Sequence, residues 1–201
     1  MKLDEILKSR HSIREYKDKD VDYKLIGTIL ESAIQSPSSG NVQNWRFIII
    51  KNEKTKNEIA KSCLNQSFMA KSPVHIVICY DKANIQKLFP ENHEEFSLQN
   101  TAIISTVIML KATELKLGTC WVSIPDPEKI SSILKIPANI KPSVILTLGY
   151  PESYYKKTTR EPTEILTYFE GYGKKTRSVS SFPIDQSKLK SKIKEKFLSK
   201  K

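Results

Sequence analysis

A single domain that mixes helices with short strands is the fold class this sequence predicts, and three observations predict it. The chain has 201 residues with 39% hydrophobic content, enough for one core with an appendage. Apolar residues recur at helical spacing in one segment (Leu25, Ile26, Ile29, Leu30, Ala33, Ile34) and form short unbroken runs in others, such as Phe47–Ile50. The two kinds of segment alternate irregularly, and no strand leads into a GxGxxG turn or a GxxxxGK[ST] loop. Neither a Rossmann nor a P-loop site is therefore supported. HExxH, CxxC and GxSxG are also absent, which leaves zinc hydrolysis and serine-elbow chemistry without a foothold.

Each element follows from local signals. Leu3, Ile6 and Leu7 give a short amphipathic helix that ends near Ser9. Asp22 caps the helix of the 25–34 stripe. Phe47–Ile50 is apolar throughout, as an interior strand should be. A helix over about 53–64 turns Ile59, Ala60, Cys63 and Leu64 inward. Asn65-Gln66-Ser67-Phe68 is a polar break before the strand Val74–Cys79, within which His75 is expected to be structural. Residues 81–97 are polar, with Phe89-Pro90 and His93 among many charges. They are expected to be irregular and to form a mobile lid or a substrate-facing insertion. A long helix over about 98–117, apolar on most sides, is expected at the centre of the core and ends at Gly118. Thr119–Ile124 is a strand, Asp126 and Pro127 open another helix, and Ser143–Tyr150 is the last clear strand. Lys156, Lys157 and Arg160 follow in a turn, then a short amphipathic piece at Ile165-Leu166 and a weak helical segment over about 186–198.

The net charge of +11 is uneven. Residues 171–201 hold ten Lys or Arg against two acids, and the preceding 170 residues hold twenty-three against twenty. Basic tails bind nucleic acid or anionic membrane in some proteins, but a solvated surface is the commoner outcome and is preferred here. Three cysteines, Cys63, Cys79 and Cys120, lie in apolar surroundings without metal-ligand spacing. That usage suits a reducing cytoplasm. Met1 leads directly into Lys2-Leu3-Asp4-Glu5, so no signal peptide is expected, and the apolar run Thr101–Leu110 is too short to span a bilayer.

Two stretches stand out as sites. Pro37-Ser38-Ser39-Gly40-Asn41-Val42-Gln43-Asn44-Trp45 joins a helix to a strand and is rich in short-armed donors and acceptors, with Trp45 as an apolar anchor. In Arg10-His11-Ser12-Ile13-Arg14, an extended backbone turns Arg10, Ser12 and Arg14 to one side. Two guanidiniums and a hydroxyl suit a phosphate; the competing reading is surface charge paired with acids such as Glu15.

These two stretches, with Leu117-Gly118-Thr119-Cys120-Trp121 and Leu148-Gly149-Tyr150-Pro151 followed by Arg160, resemble in order the motifs of the nitroreductase family of FMN-dependent oxidoreductases. The likeness covers about residues 1–170, which the resemblance implies are the FMN-binding domain. It leaves 171–201 as a basic tail that either wraps the partner subunit or is disordered. It implies an α+β fold, a mixed and mostly antiparallel sheet surrounded by helices, in an intertwined homodimer with FMN at the interface. By that resemblance Arg10, Ser12 and Arg14, with His11 in the same cradle and Arg160 joining from downstream, meet the phosphate and ribityl chain. Pro37, Ser38 and Ser39 come from the other subunit to cover part of the flavin, with Asn41 supporting that loop. Asn65, with Gln66, faces the polar edge of the ring, and the backbone at Trp121, Val122 and Ser123 approaches the ring. The family usually has proline where this chain has Asn44, which implies a less rigid loop.

The implied activity is that of a cytoplasmic FMN oxidoreductase, with no catalytic acid–base pair from the protein because the cofactor carries the chemistry. Hydride would pass from NADH or NADPH to the flavin and on to a small conjugated acceptor (nitroaromatic, quinone or flavin) by ping-pong kinetics. Other flavin chemistry on the same scaffold, such as reductive dehalogenation or flavin reduction, is the nearest alternative. A flavin-binding protein without turnover is a further one, and binding of nucleic acid through the tail is the third. No metal, nucleic-acid partner or membrane partner is expected.

Overall fold

The computed structural model describes residues 1–153 and 158–175, and the chain divides near residue 155 into two units. The first unit runs α1 Leu3–Ser9, α2 Tyr23–Ala33, a 3-10 turn Ser39–Asn41, β1 Trp45–Ile50, α3 Glu53–Ser62 and α4 Ser67–Lys71. It continues with β2 Val74–Asp81, α5 Lys82–Leu88, α6 His93–Glu114, β3 Gly118–Ser123, α7 Pro127–Leu134 and β4 Ile140–Gly149. The four strands form one antiparallel sheet in the order β1-β2-β4-β3. A parallel bridge between Ser12 and Thr119 adds the segment after α1 to the sheet, giving the expected mixed, mostly antiparallel α+β architecture. Pro142 of β4 lies where the β2–β4 register shifts between Ile78 and Cys79, a place in a sheet that tolerates a missing N–H.

Strand alternation sends successive side chains to two cores. Val74, Ile76 and Ile78 of β2, with Val144, Leu146 and Leu148 of β4, pack with Ile26, Ile29 and Ala33 of α2 and Ile104 and Ile108 of α6. Val77, Cys79 and Ile145 face the other way, toward Ile59, Met69 and Ile130 of α3, α4 and α7. Trp45 is buried in the first core, as an anchor for the start of β1. His75 is structural, as expected: it is fully buried, its Nε2 lies 2.8 Å from the Met69 carbonyl, and burial pushes its imidazole down to about 4.

Four expectations about elements need correction. Leu64 is not turned inward: it lies past the end of α3 at Ser62, takes a left-handed φ of 57° and is 80% exposed. Residues 81–97 are mostly helical rather than irregular: 82–88 form α5 and 93–97 open α6, with a short connection at 89–92. Asp81 caps α5 by accepting from Ala83 N at 3.0 Å, Ile85 is fully buried, and Phe89 meets Phe96 edge-on at 4.9 Å. Few of these residues are apolar, which hid a helix that buries one narrow side. The Asn65–Phe68 break is short, because α4 begins at Ser67. Finally, Gly118 does not end the long helix. α6 stops at Glu114, and Lys116 takes the left-handed backbone at φ 61°. Gly118 is needed for another reason, described below.

The described part of the second unit contains α8 Thr163–Leu166. Lys175 Nζ donates to the carbonyls of Glu164, Ile165 and Thr167 at 2.7–2.8 Å and so caps its C-terminal end. The segments expected at Lys156, Lys157 and 186–198 lie outside the described residues.

Candidate functional site

Arg10 to Tyr16 form an extended arm laid across one end of the sheet. Ile13 N donates to Thr119 O at 2.9 Å, Lys17 N to Tyr150 O at 2.9 Å, and Glu152 N to Glu15 O at 3.1 Å. Two glycines allow this approach. A Cβ on Gly118 would stand 2.6 Å from Ile13 Cγ1, and one on Gly149 would stand 2.7 Å from Tyr16 Cδ1. Tyr16 secures the far end: its hydroxyl donates to Ile13 O at 2.8 Å and meets Thr147 Oγ1 at 2.6 Å. Burial raises that phenol well above its usual range.

Alternation divides the arm into two sides. Ile13 and His11 line a cavity of about 480 Å³ with Ser9, Leu117, Gly118 and Pro151, within the range of small-molecule pockets. His11 Nδ1 lies 2.6 Å from Ser9 O, so that nitrogen carries the proton and donates. Arg10, Ser12 and Arg14 turn toward Cys120. Burial raises the Cys120 thiol, while the Arg14 charge, a Ser12 hydrogen bond and the Arg10 charge pull it back. The Arg14 guanidinium stands 5.7 Å from the centre of the Phe68 ring. Among the described residues neither Arg10 nor Arg14 forms an ion pair, so the reading that pairs them with Glu15 fails.

Asn65 lies three residues before Phe68 in sequence and two before α4, exposed and with a left-handed φ of 54°. Gln66 is committed to the fold, since its Nε2 donates to Cys63 O at 3.0 Å. On β3, Val122 is buried on the Cys120 side, whereas Trp121 and Ser123 are exposed and share the opposite face through their partners Leu146 and Val144. Arg160 is in the second unit, where its Nη1 donates to Thr158 Oγ1 at 2.6 Å.

The loop with Pro37, Ser38, Ser39 and Asn41 sits elsewhere. It enters β1 at Trp45, opposite Tyr80 at the end of β2, whereas the arm lies by Thr119, whose partner Leu148 faces Val74 at the start of β2. Six residues of extended strand separate the two, roughly 20 Å. One chain therefore assembles the arm, β3 and α4, and holds the loop apart from them. The loop is not slack, contrary to what Asn44 in place of proline implied. Asn44 is 2% exposed, and its side chain bonds Asp81 O, Ser97 Oγ and Asn100.

Sequence reasoning missed Phe68, Tyr16 and the structural asparagines. Phe68 adjoined a noticed polar pair, and Tyr16 continued the 10-12-14 alternation. Asn100 carried the clearest signal, a carboxamide near the start of the uncharged stretch of α6, which must find partners if buried.

The sequence profile of the Nitroreductase family matches residues 7–68 and 60–150. A protein of Methanothermobacter thermautotrophicus, provisionally named an NADH dehydrogenase/NAD(P)H nitroreductase, is 31% identical over 151 residues, covering 73% of this chain and 76% of that protein. The FMN reductase [NAD(P)H] of Bacillus subtilis is 26% identical over 188 residues, covering 85% and 75%. An FMN-dependent nitroreductase from Clostridium difficile R20291 superposes with a TM-score of 0.72 at 26% identity, covering 83% of this chain and 98% of that one. The arm, the glycines that seat it and the loop entering β1 lie within the matched stretch, and on that ground the chain belongs to the nitroreductase family.

Proposed function

We propose that this chain is a cytoplasmic, homodimeric FMN-dependent NAD(P)H oxidoreductase that reduces a small conjugated acceptor, a nitroaromatic, a quinone or a flavin. The family and the FMN-named relatives support the cofactor. The observation that carries the reading to this chain is the pair of guanidiniums Arg10 and Arg14, without an ion-pair partner among the described residues and set with Ser12 on one side of a clamped arm. A phosphate dianion is the partner such a set suits. The residues fit FMN in other respects too. Asn65 offers an exposed carboxamide for the alternating donors and acceptors of a flavin edge. Phe68, Cys120 and Val122 give an apolar floor beside the arginines. Arg160 is the third cation of the cradle in this reading, and residues 171–201 are a tail outside the FMN-binding domain of 1–170.

FMN, when bound, would supply the redox chemistry between NADH or NADPH and the acceptor, with ping-pong kinetics expected. The protein's share is to hold the phosphate, orient the ring and cover one face. Covering needs a second subunit. The serine loop is held roughly 20 Å from the arm of its own chain by the register of β2, so Pro37, Ser38 and Ser39 of each subunit serve the other's site. α6 supports such a pairing: from Phe96 to Leu110 it bears no charge, and Leu98 and Ile103 on its outer side are 51% and 38% exposed.

The test is an absorption spectrum of the purified protein, repeated anaerobically after NADH or NADPH. A flavin spectrum that bleaches is expected, with parallel lines in double-reciprocal plots of turnover. No flavin after incubation with FMN overturns the reading, and intersecting lines overturn the ping-pong cycle.

A further inference from the structure

Two buried carboxamides couple the serine loop to the long helix, and their polarity is fully determined. Asn100 Oδ1 accepts from Ser39 N at 3.0 Å and from Ser39 Oγ at 3.2 Å. Asn100 Nδ2 donates to Asn44 Oδ1 at 2.9 Å. Asn44 Nδ2 donates to Ser97 Oγ at 2.9 Å and to Asp81 O at 3.2 Å, and Ser97 Oγ donates to His93 O at 2.6 Å. The Asn44 backbone carbonyl accepts from Asp81 N at 2.7 Å. Asn44 and Asn100 are 2% and 1% exposed. Turning either amide over would set an NH₂ against a donor, so the network has a single sense. A satisfied buried network of this kind fixes one geometry, and a half-satisfied one is costly.

We infer that Asn44 and Asn100 are positioning residues: together they aim the loop that covers the cofactor, and they leave Ser38 rather than Ser39 to donate to it. This rests on the FMN reading above. The Ser39 hydroxyl spends its proton on Asn100. The Ser38 hydroxyl accepts from Gln43 N at 3.0 Å, so its own proton is available to a ligand. The family's usual proline stiffens the backbone at position 44. This chain reaches the same end through side chains, and it ties loop geometry to α6 and to the start of α5.

Amide hydrogen exchange on the full-length protein reads the anchor without any cofactor. In Asn100→Leu the amides of residues 39–43 are expected to exchange at least tenfold faster, with the second half of α6 unchanged. Fluorescence titration with FMN should show about tenfold weaker binding. Asn44→Pro added to Asn100→Leu should weaken it no further, because the two amides act as one unit. Ile108→Val, which trims the core side of the same helix, should leave FMN binding as it is, and Ser38→Ala should lose more affinity than Ser39→Ala. Loop amides that exchange as in the wild type overturn the anchor. Faster exchange with unchanged FMN affinity overturns the positioning role, and an inverted serine order overturns the donor assignment. A wild type that binds no FMN removes the proposed function, while the exchange result still decides the anchor.

Discussion

The arginine arm and the serine loop flank opposite ends of one sheet, and they are held in different ways. The arm is held by backbone. Its N–H and C=O groups join Thr119, Tyr150 and Glu152, and it closes onto the sheet because Gly118 and Gly149 have no side chains. The loop is held by side chains, through Asn100 and Asn44, and its own backbone is bent, with positive φ at Gly40, Asn41 and Gln43. A backbone clamp leaves the arm's two guanidiniums, Arg10 and Arg14, without an acidic partner among the described residues. A side-chain anchor consumes loop groups, so fewer remain. The two should therefore fail to different substitutions.

The largest effect should come from filling the space the arm occupies. Gly118→Val would place its Cβ 2.6–3.0 Å from three atoms of Ile13, a β-branched residue with little freedom to yield. The arm must move off β3, at a cost of about 3 kcal/mol. Thermal unfolding and exchange at Ile13 N–H check this, and loop amides should be unaffected. A loop that loosens with the arm would mean the two ends are coupled.

Acid should also strike the arm's surroundings first. His75 is fully buried and holds the Met69 carbonyl of α4, the helix that carries Phe68 beneath Arg14. Its pKa falls from 6.5 unfolded to about 4 folded, so the unfolded chain binds the extra proton between those values. Stability is full above about pH 6.5 and declines as pH falls toward 4, by about 2 kcal/mol at pH 5. Denaturant melts from pH 7 to 4.5 measure the slope. His75→Gln should flatten it, and an unchanged slope would locate the acid sensitivity elsewhere. The loop's bonds join neutral amides and hydroxyls and should not follow this curve.

Arg14→Ala separates ligand contact from fold. Arg14 is exposed and touches Phe68 but, among the described residues, no acid. FMN affinity should drop about tenfold with little change in melting temperature. Equal FMN affinity would remove Arg14 from the phosphate cradle.

The same contrast decides what could be read from the chain. The arm was legible because the alternation of Arg10, Ser12 and Arg14 is local and the glycines that seat it stood in quotable motifs, whereas the absence of an acidic partner for the arginines among the described residues came only with the fold. The sheet strands were legible because each is a short apolar run. The partnership of Asn44 with Asn100 was not, since 56 residues separate them and only the fold brings them to 2.9 Å. Gly118 shows the intermediate case. Its presence is plain in the sequence and its duty is not, because a helix end and a close backbone approach both call for glycine. α5 was hidden for another reason: a helix that buries one residue carries no periodic signal.

Gly40 offers the smallest and most discriminating test. Its φ of 57° is left-handed, and a Cβ there would stand 3.3 Å from the Phe89 ring of the α5–α6 connection. Either fact alone predicts a loss of about 1 kcal/mol for Gly40→Ala, a fall of roughly 2–4 °C in melting temperature for a chain this long. Asparagine distinguishes them. It tolerates the left-handed region better than alanine does but carries the same Cβ and more bulk. If backbone strain governs, Gly40→Asn should be milder than Gly40→Ala. If the Phe89 contact governs, Asn should be no milder, and Phe89→Leu should recover the loss. The second outcome would mean that the loop is braced from α5 by packing as well as from α6 by carboxamides, and that polar residues 81–97 shape the site from behind the loop.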